Sequence, residues 1–216
     1  MNIPTLTSKP FVLPVCCLVL AVGLGTPSRA ARIVADMRDD YQETTEPANW
    51  SYQWCLPSDI GDSSKYADLS WSAGDYGGSW VSGEKYLHVK AAGRHPGGDD
   101  GYAITGFTVS ESGAYTLGDG QATFGVSHGN PDGDGVEVRV YVNDTHKLTQ
   151  DVHNETYLFN DLALGVLKPN DAIYVALGTN GTSSYDWTQL DYIVSVPEPA
   201  SLALLVLGSL IVARRR

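Results

Sequence analysis

The feature that most constrains the fold of this chain is a strict alternation of apolar and polar side chains. Between positions 136 and 142, a valine at every even position alternates with Glu137, Arg139 and Tyr141. A period of two places the valines on one face of a strand and the polar side chains on the other, which is typical of an antiparallel strand with one buried face. Helical spacing of apolar residues is almost absent between the two ends of the chain, so the pattern predicts an all-β fold.

The same alternation recurs along the chain, and turn-forming residues separate the segments that carry it. Ile173, Val175 and Leu177 repeat it directly after the turn sequence 168–171, Lys-Pro-Asn-Asp. The Gly-Asp-Gly sequence at 118–120 predicts another turn, between strands at 114–117 and 121–127. Many short strands with regular turns indicate a sandwich of the jelly-roll kind or a barrel. Of these two, we predict a single antiparallel β-sandwich.

The N-terminal 30 residues have the composition of a secretory signal peptide. An apolar run at 11–24 is broken only by Pro14 and Gly23, follows Lys9, and precedes the small-x-small sequence Ser-Arg-Ala at 28–30. Signal peptidase cuts after such a triplet, so we predict that residues 1–30 are removed. The alternative, an N-terminal transmembrane anchor, is less favoured because the run is shorter than the ~20 residues of a spanning helix.

The C-terminal end has three parts in a fixed order. Pro197, Glu198 and Pro199 are followed by an uncharged, apolar stretch at 200–213, and the sequence then reads Arg214, Arg215 and Arg216. Prolines interrupt regular structure, an apolar stretch can enter a bilayer, and terminal arginines keep that end on the cytoplasmic side. As a helix, the stretch reaches about 21 Å, less than the ~30 Å hydrocarbon core, so we predict a short transmembrane helix that anchors weakly.

This tail resembles the PEP-CTERM sorting signal of exported bacterial proteins, and we assign residues 196–216 to it. The resemblance implies that an exosortase in the inner membrane recognises and processes the tail. It also implies a chain that is at the inner membrane in transit and then at the cell surface or in the extracellular matrix. Such proteins are often found in Gram-negative bacteria that make extracellular polysaccharide. A plain tail anchor is the alternative.

Removing both ends leaves a strongly acidic body at 31–195. It holds nine of the 14 Lys and Arg residues and 24 of the 25 Asp and Glu residues, a net charge of −15. Such a body attracts cations and lacks the basic surface that nucleic acid requires, so we expect no nucleic-acid partner. Cys16 and Cys17 lie in the signal peptide, which leaves Cys55 without a disulfide partner.

A second resemblance covers most of 36–194 and rests on the order of short motifs. They are Asn-Trp-Ser-Tyr at 49–52, His-Pro-Gly at 95–97, Ser-Gly-Ala-Tyr at 112–115, Asp-Gly-Val at 134–136, Asn-Asp-Ala-Ile at 170–173 and Tyr-Asp-Trp-Thr-Gln-Leu-Asp at 185–191. This order resembles that in jelly-roll modules of exported PEP-CTERM and planctomycete-type surface proteins and, more distantly, that in galactose-binding-like carbohydrate-binding modules. The resemblance implies a jelly-roll module and supplies no catalytic residues.

Two groups of aromatic residues are candidates for binding polysaccharide. Trp50 and Tyr52 alternate with Ser51 on a predicted strand, so their rings share one face. Trp71, Tyr76 and Trp80 lie in a segment rich in Ser, Gly and Asp. Sugar rings stack on aromatic faces, but large rings also fill protein cores. Core packing is therefore the alternative, and we favour it for the first group.

Calcium is the candidate cofactor, at two places. Asn130, Asp132 and Asp134 alternate ahead of a glycine in sixth position, as oxygen ligands do at the start of a calcium loop. Tyr141 stands where such a loop needs its last acid, so a hairpin turn is the alternative and the one we favour. Asp191 with Asp36, or with Asp39, forms the second place, because galactose-binding-like modules often hold a structural calcium ion there.

No sequence motif for catalysis is present. The five histidines lack metal-ligand spacing, and the acids of the adjacent pair at 99–100 would point to opposite faces of a strand. We therefore predict a non-catalytic, exported surface or matrix protein whose sandwich binds polysaccharide. The alternatives are a structural surface protein without a specific ligand and a glycosidase or lyase whose site has no known motif.

Overall fold

The computed structural model describes residues 31–98, 101–124, 134–153, 155–183 and 186–197. These contain one short helix, α1 (Met37–Asp40), two 3-10 turns (Ser63–Lys65 and Asp75–Gly77) and a series of strands. The strands are β1 (Ala31–Asp36), β2 (Trp50–Cys55), β3 (Ala67–Asp68), β4 (Ser70–Ser72), β5 (Ser79–Val81), β6 (His88–Lys90), β7 (Gly93–His95), β8 (Tyr102–Thr108), β9 (Gly113–Phe124), β10 (Val136–Val142), β11 (Thr145–Val152), β12 (Thr156–Phe159), β13 (Leu162–Leu167), β14 (Ala172–Thr179) and β15 (Thr188–Pro197).

The described strands form two antiparallel sheets. One has the order β11-β10-β14-β8-β2-β3. The other has the order β12-β9-β15-β7-β6-β5-β4, with β1 also paired to β15 and β13 also paired to β9. We call them the six-stranded and the nine-stranded sheet. The predicted all-β sandwich is therefore confirmed.

The core lies between the sheets and follows from the alternation in the sequence. The predicted inward face of β10 is correct, since Val136, Val138 and Val140 are each 0% exposed. Leu190 and Val194 of β15 face them from the other sheet, and both are also 0% exposed. Because side chains of successive strand residues point to opposite faces, the residues that alternate with these lie on the outer faces of their sheets.

One charged side chain crosses this core. Arg94 of β7 is fully buried, and its guanidinium donates a hydrogen bond to the carbonyl of Val175 on the facing sheet over 3.2 Å. The same guanidinium lies 5.7 Å from the ring centre of Tyr192. Burial lowers the pKa of Arg94, because it penalises the charged form. Arg94 thus links the two sheets at the point where β7 joins β15.

The turn predicted at 118–120 is wrong, because β9 runs through it as one strand. The register with β15 shifts there: Gln121 pairs with Asp191, whereas Gly118 pairs with Ile193. This bulge bends β9, and β12 and β13 pair in succession with its two halves. A side chain at Gly120 would place its Cβ 2.3 Å from the Asp191 carbonyl oxygen. The glycine is needed for a close backbone approach rather than for a turn.

The last strand continues into the first residue of the Pro-Glu-Pro sequence. Pro197 pairs with Ala31 at the end of β15, where a residue without an N–H group is tolerated. The signal peptide at 1–30 and residues 198–216 of the tail predicted at 196–216 lie outside the described residues, so both segments stay predictions. Within the part of the chain that the structure describes, no helix is long and apolar enough to span a membrane.

Candidate carbohydrate-binding surface

Four consecutive short strands, β4 to β7, extend the nine-stranded sheet beyond β15. Trp71 of β4 pairs directly with Trp80 of β5, and paired residues of antiparallel strands share a face. That face is the core side: Trp80 is 6% exposed, and its indole N–H donates to the carbonyl of Gln42 over 3.1 Å. Trp71 is half-buried, with its ring centre 6.0 Å from that of Trp80. Both tryptophans therefore pack against the core.

The other predicted aromatic pair also lies in the core. Trp50 is 6% exposed and Tyr52 is 0% exposed. The ring of Trp50 lies 5.3 Å from that of Phe107, and the ring of Tyr52 lies 5.1 Å from that of Trp80. The two rings do share one face of β2, and that face is directed at the opposite sheet.

The outer face of the same extension carries a stack of rings. His88 of β6 pairs with His95 of β7, and their ring centres are 5.7 Å apart. Tyr76 lies flat on His88, with ring centres 4.2 Å apart and planes 17° apart, and the indole of Trp187 stacks on His88 at 5.3 Å. The ring of Tyr86 lies 5.9 Å from that of His95. We call these five residues the outer ring stack.

Two tyrosines of the outer ring stack face solvent. Tyr76 is 43% exposed and Tyr86 is 42% exposed. Both have positive φ, 51° and 72°, so each stands in a tight turn rather than on a strand. The backbone N–H of Tyr86 donates to the Tyr76 hydroxyl over 3.1 Å, which ties the two turns together. The exposed rings are therefore held at fixed positions.

Two lysines border these exposed rings. The Lys85 ammonium lies 4.5 Å from the centre of the Tyr86 ring, and the Lys90 ammonium donates to the carbonyl of Tyr76. The ion pairs found among the described residues join arginines to acids elsewhere, and none includes Lys85 or Lys90. In a body of net charge −15, this surface thus combines exposed rings with positive charge.

His88 forms the buried base of the outer ring stack. Its ring is 5% exposed, and its Nδ1–H donates to the carbonyl of Tyr86 over 2.7 Å. Burial, with smaller contributions from His95 and Lys90, lowers the pKa of His88 from 6.5 to about 4. His88 is therefore neutral near pH 7 and supports the rings above it without adding charge.

The depressed pKa predicts a pH dependence of stability. Between pH 6.5 and 4 the unfolded chain binds a proton at His88 that the folded chain does not, so stability falls as the pH falls through this window. Relative to His88→Phe, which keeps an aromatic ring in the stack, the unaltered protein should lose on the order of 2 kcal/mol between pH 7 and pH 4.5. Denaturant unfolding at both pH values measures this, with exposed His146→Phe as control. Equal losses in the unaltered protein and in His88→Phe would contradict the assignment.

The candidate calcium ligands Asp36 and Asp191 have other partners. Asp36 caps α1, and its carboxylate accepts from the N–H groups of Arg38 and Asp39 at 3.0 and 3.1 Å. Asp191 accepts from the N–H of Gln121 over 2.9 Å and lies 3.5 Å from the Arg38 guanidinium. These contacts fit a helix cap and an ion pair better than a cation site.

The other calcium position is only partly described. Asp134 accepts from the N–H of Thr182 over 2.7 Å, and Asn130 and Asp132 lie outside the described residues. Its second carboxylate oxygen is buried and accepts no hydrogen bond from the described residues. No group of three or more His, Cys, Asp or Glu side chains in the described ranges could hold a metal ion. Calcium in the 130–135 loop therefore stays a prediction.

Sequence reasoning found one member of the outer ring stack, Tyr76, and missed the others. The available signal was the alternation in β6 and β7, which puts His88 and His95 on the face opposite Val89 and Arg94. That Trp187 and the Tyr76 turn cover the histidines depends on the pairing of distant segments, which the sequence does not display.

The tail is the part of the chain with a match to a known family. Residues 195–216 match the PEP-CTERM protein-sorting motif. The match includes the last three residues of β15 and the whole of the segment that follows. This motif implies an exported protein that is processed by exosortase and is anchored or processed at the membrane.

Two solved structures show a distant likeness to the sandwich. The K3 cleaved adhesin domain of Lys-gingipain from Porphyromonas gingivalis W83 is 15% identical, with a TM-score of 0.34 over 76% of this chain and 98% of that one. The K1 cleaved adhesin domain of the same protein is 12% identical, with a TM-score of 0.30 over 78% and 97%. No curated protein matches the chain.

Proposed function

We propose that this protein is a non-catalytic module, exported to the cell surface or extracellular matrix, that binds polysaccharide through the outer ring stack. The observation that carries the proposal is the pair of exposed, fixed rings of Tyr76 and Tyr86 beside two lysines. Isolated exposed apolar side chains are common on proteins. Two exposed tyrosines that are joined by a hydrogen bond and pack on further rings indicate a binding site more specifically than a single exposed ring does.

The geometry suits a sugar chain for a physical reason. The C–H faces of a pyranose ring are apolar and pack on aromatic rings, while the hydroxyl groups need hydrogen-bond partners. Tyr76 and Tyr86 supply the ring faces, and Lys85 and Lys90 supply N–H donors at their edge. Because the rings are already held in place, binding loses little side-chain entropy.

The sorting motif supports the delivery of such a module to polysaccharide. We propose that signal peptidase removes residues 1–30, that the tail holds the chain in the inner membrane in transit, and that exosortase then processes it. The host in this proposal is a Gram-negative-type bacterium. An extracellular polysaccharide would then be the material nearest to the released sandwich.

Polysaccharide binding by tyrosine variants tests the proposal. With the full chain and extracellular polysaccharide from its host, Tyr76→Ala and Tyr86→Ala should each weaken binding about tenfold, as expected for central aromatic contacts. Tyr86→Phe keeps the ring and the backbone N–H that donates to the Tyr76 hydroxyl, so it should bind nearly as the unaltered protein does. Leu158→Ala, which removes a side chain that is 53% exposed on β12, is the control for a general effect of apolar exposure. Binding is measured by co-sedimentation and calorimetry.

Two results would overturn the proposal. Unchanged binding by both alanine variants would place the ligand elsewhere on the sandwich. No binding by the unaltered protein to neutral or acidic polysaccharides would favour a structural protein without a specific ligand.

A further inference from the structure

An apolar area lies on the outer face of the nine-stranded sheet, at the end where the tail begins. Val166 of β13 is 77% exposed and Ile33 of β1 is 57% exposed, the two largest exposures among the large apolar side chains of the described residues. Around them lie four smaller residues without charge. We call the six residues the outer corner: Ala31, Ile33, Ala114, Ala163, Val166 and Pro197.

The sheet register places these residues on one face. Ala31 pairs with Pro197, and Val166 pairs with Ala114. In the neighbouring row, Ile33 pairs with Ser195, Ser195 with Thr116, and Thr116 with Ala163. Paired residues of antiparallel strands share a face, so these side chains form neighbouring rows that end at Pro197.

The length of chain after Pro197 fixes how far this corner can lie from a bilayer. Only Glu198 and Pro199 separate Pro197 from the start of the apolar stretch at 200. Three peptide links span at most about 11 Å. The headgroup layer on each side of the hydrocarbon core is roughly 5–8 Å thick. When the stretch at 200–213 is in the membrane, Pro197 and the residues beside it therefore lie at the lipid headgroups.

We infer that the outer corner contacts the lipid bilayer while the tail is inserted. The sandwich then has a fixed orientation against the membrane and does not rotate freely about its link to the tail. This inference rests on the exported, tail-anchored state in the proposed function. It assigns a lipid-contacting role to Pro197 and to five residues that lie outside the tail.

Charge favours this face over the rest of the sandwich. The body has a net charge of −15, so anionic headgroups repel most of its surface. The six outer-corner positions carry no acidic side chain, and the nearby carboxylate of Glu111 is paired with the guanidinium of Arg32. Apolar side chains that enter the interface gain from leaving water. Contact at the outer corner thus brings no acidic side chain of these six positions to the headgroups, and it brings the exposed side chains of Val166 and Ile33 there.

Fluorescent labels at two positions test the inference in the full chain. A cysteine is introduced at Val166 (Val166→Cys) or, as control, at exposed Thr149 on β11 of the other sheet (Thr149→Cys). Cys16→Ala and Cys17→Ala remove the cysteines of the predicted signal peptide. Cys55 stays, because burial raises the pKa of its thiol to about 12 and makes it a poor nucleophile. Each chain is labelled with an environment-sensitive dye, reconstituted into vesicles of phosphatidylethanolamine and phosphatidylglycerol, and recovered by flotation.

The two labels should respond in opposite ways. At position 166, quencher groups on the lipid acyl chains should reduce the emission about twofold or more, while iodide in the water should have little effect. At position 149, iodide should quench and the lipid quenchers should not.

Three results would overturn the inference. Position 166 could be as open to iodide as position 149, or it could be shielded from both quenchers because a second copy or the tail covers it. The chain could also fail to float with the vesicles. Polysaccharide binding by the same labelled chains is measured separately, so a failure here is distinguishable from a failure of the outer ring stack as a binding site.

Discussion

Gly120→Ala is expected to destabilise the folded protein by about 3 kcal/mol. A Cβ at this position would lie 2.3 Å from the carbonyl oxygen of Asp191 and 2.5 Å from the Cα of Tyr192. Both atoms are backbone atoms of β15, the central partner of β9, so neither can move without breaking the pairing of the two strands. Denaturant unfolding of the full chain measures the change.

Gly83→Ala is the matched control for Gly120→Ala. A Cβ added at Gly83 would have no heavy atom within 4 Å, and the residue has an ordinary φ, so its change should stay within about 0.5 kcal/mol. Equal free energies of unfolding for Gly120→Ala and Gly83→Ala would contradict the close approach of β15 to Gly120 and the bulge in β9.

Removing residues 198–216 is expected to abolish retention of the exported chain at the membrane. Ending the chain after Pro197 keeps β15 complete and its pairing with β1 intact, so the sandwich should still fold. Without the apolar stretch and the three arginines, nothing should hold the chain in the bilayer for exosortase to process. Cell fractionation and immunoblotting in the host should find the shortened chain in the soluble exported fraction.

A charge reversal separates the role of the arginines from that of the apolar stretch. Arg214→Glu, Arg215→Glu and Arg216→Glu together remove the positive charge that retains this end in the cytoplasm. Retention should fall although the apolar length is unchanged. Membrane retention and processing of both variants at the level of the unaltered chain would contradict the role given to the tail.

The sequence was sufficient to predict the class of fold, because alternation reports burial directly. In β10 each valine faces the core and each polar neighbour lies on the other face, which is what a sheet with one buried side requires. The same rule worked for β14 and β15, whose apolar residues recur at every second position. Each of these strands lies in an antiparallel sheet that has one face against the core. The alternation in the sequence therefore agrees with the burial of each side chain in the fold.

The bulge in β9 could not be predicted in this way. Gly-Asp-Gly has the composition of a turn, and Asp119 does have a positive φ of 46°. What keeps the chain extended is the close approach of β15, a strand about 70 residues later in the sequence. Local preference and tertiary pairing disagree here, and the pairing prevails.

The candidate site was predictable only in part for a related reason. Trp71, Tyr76 and Trp80 looked equivalent in sequence, since all three lie in a polar, glycine-rich segment. Pairing of β4 with β5 sends both tryptophans to the core side, whereas Tyr76 lies in the turn between these strands and reaches the outer face. Which ring is exposed depends on the register between β4 and β5, and the composition of the segment does not reveal that register.

Hydrogen–deuterium exchange with bound polysaccharide tests the central claim most directly. The full chain is exchanged with and without extracellular polysaccharide from its host, and the protected peptides are mapped. We predict slower exchange in the segments that contain Tyr76, Tyr86 and His95, and unchanged exchange in β10 and β11 of the other sheet. Protection confined to β10 and β11, or no protection at concentrations where the polysaccharide is bound, would contradict a binding surface at the outer ring stack.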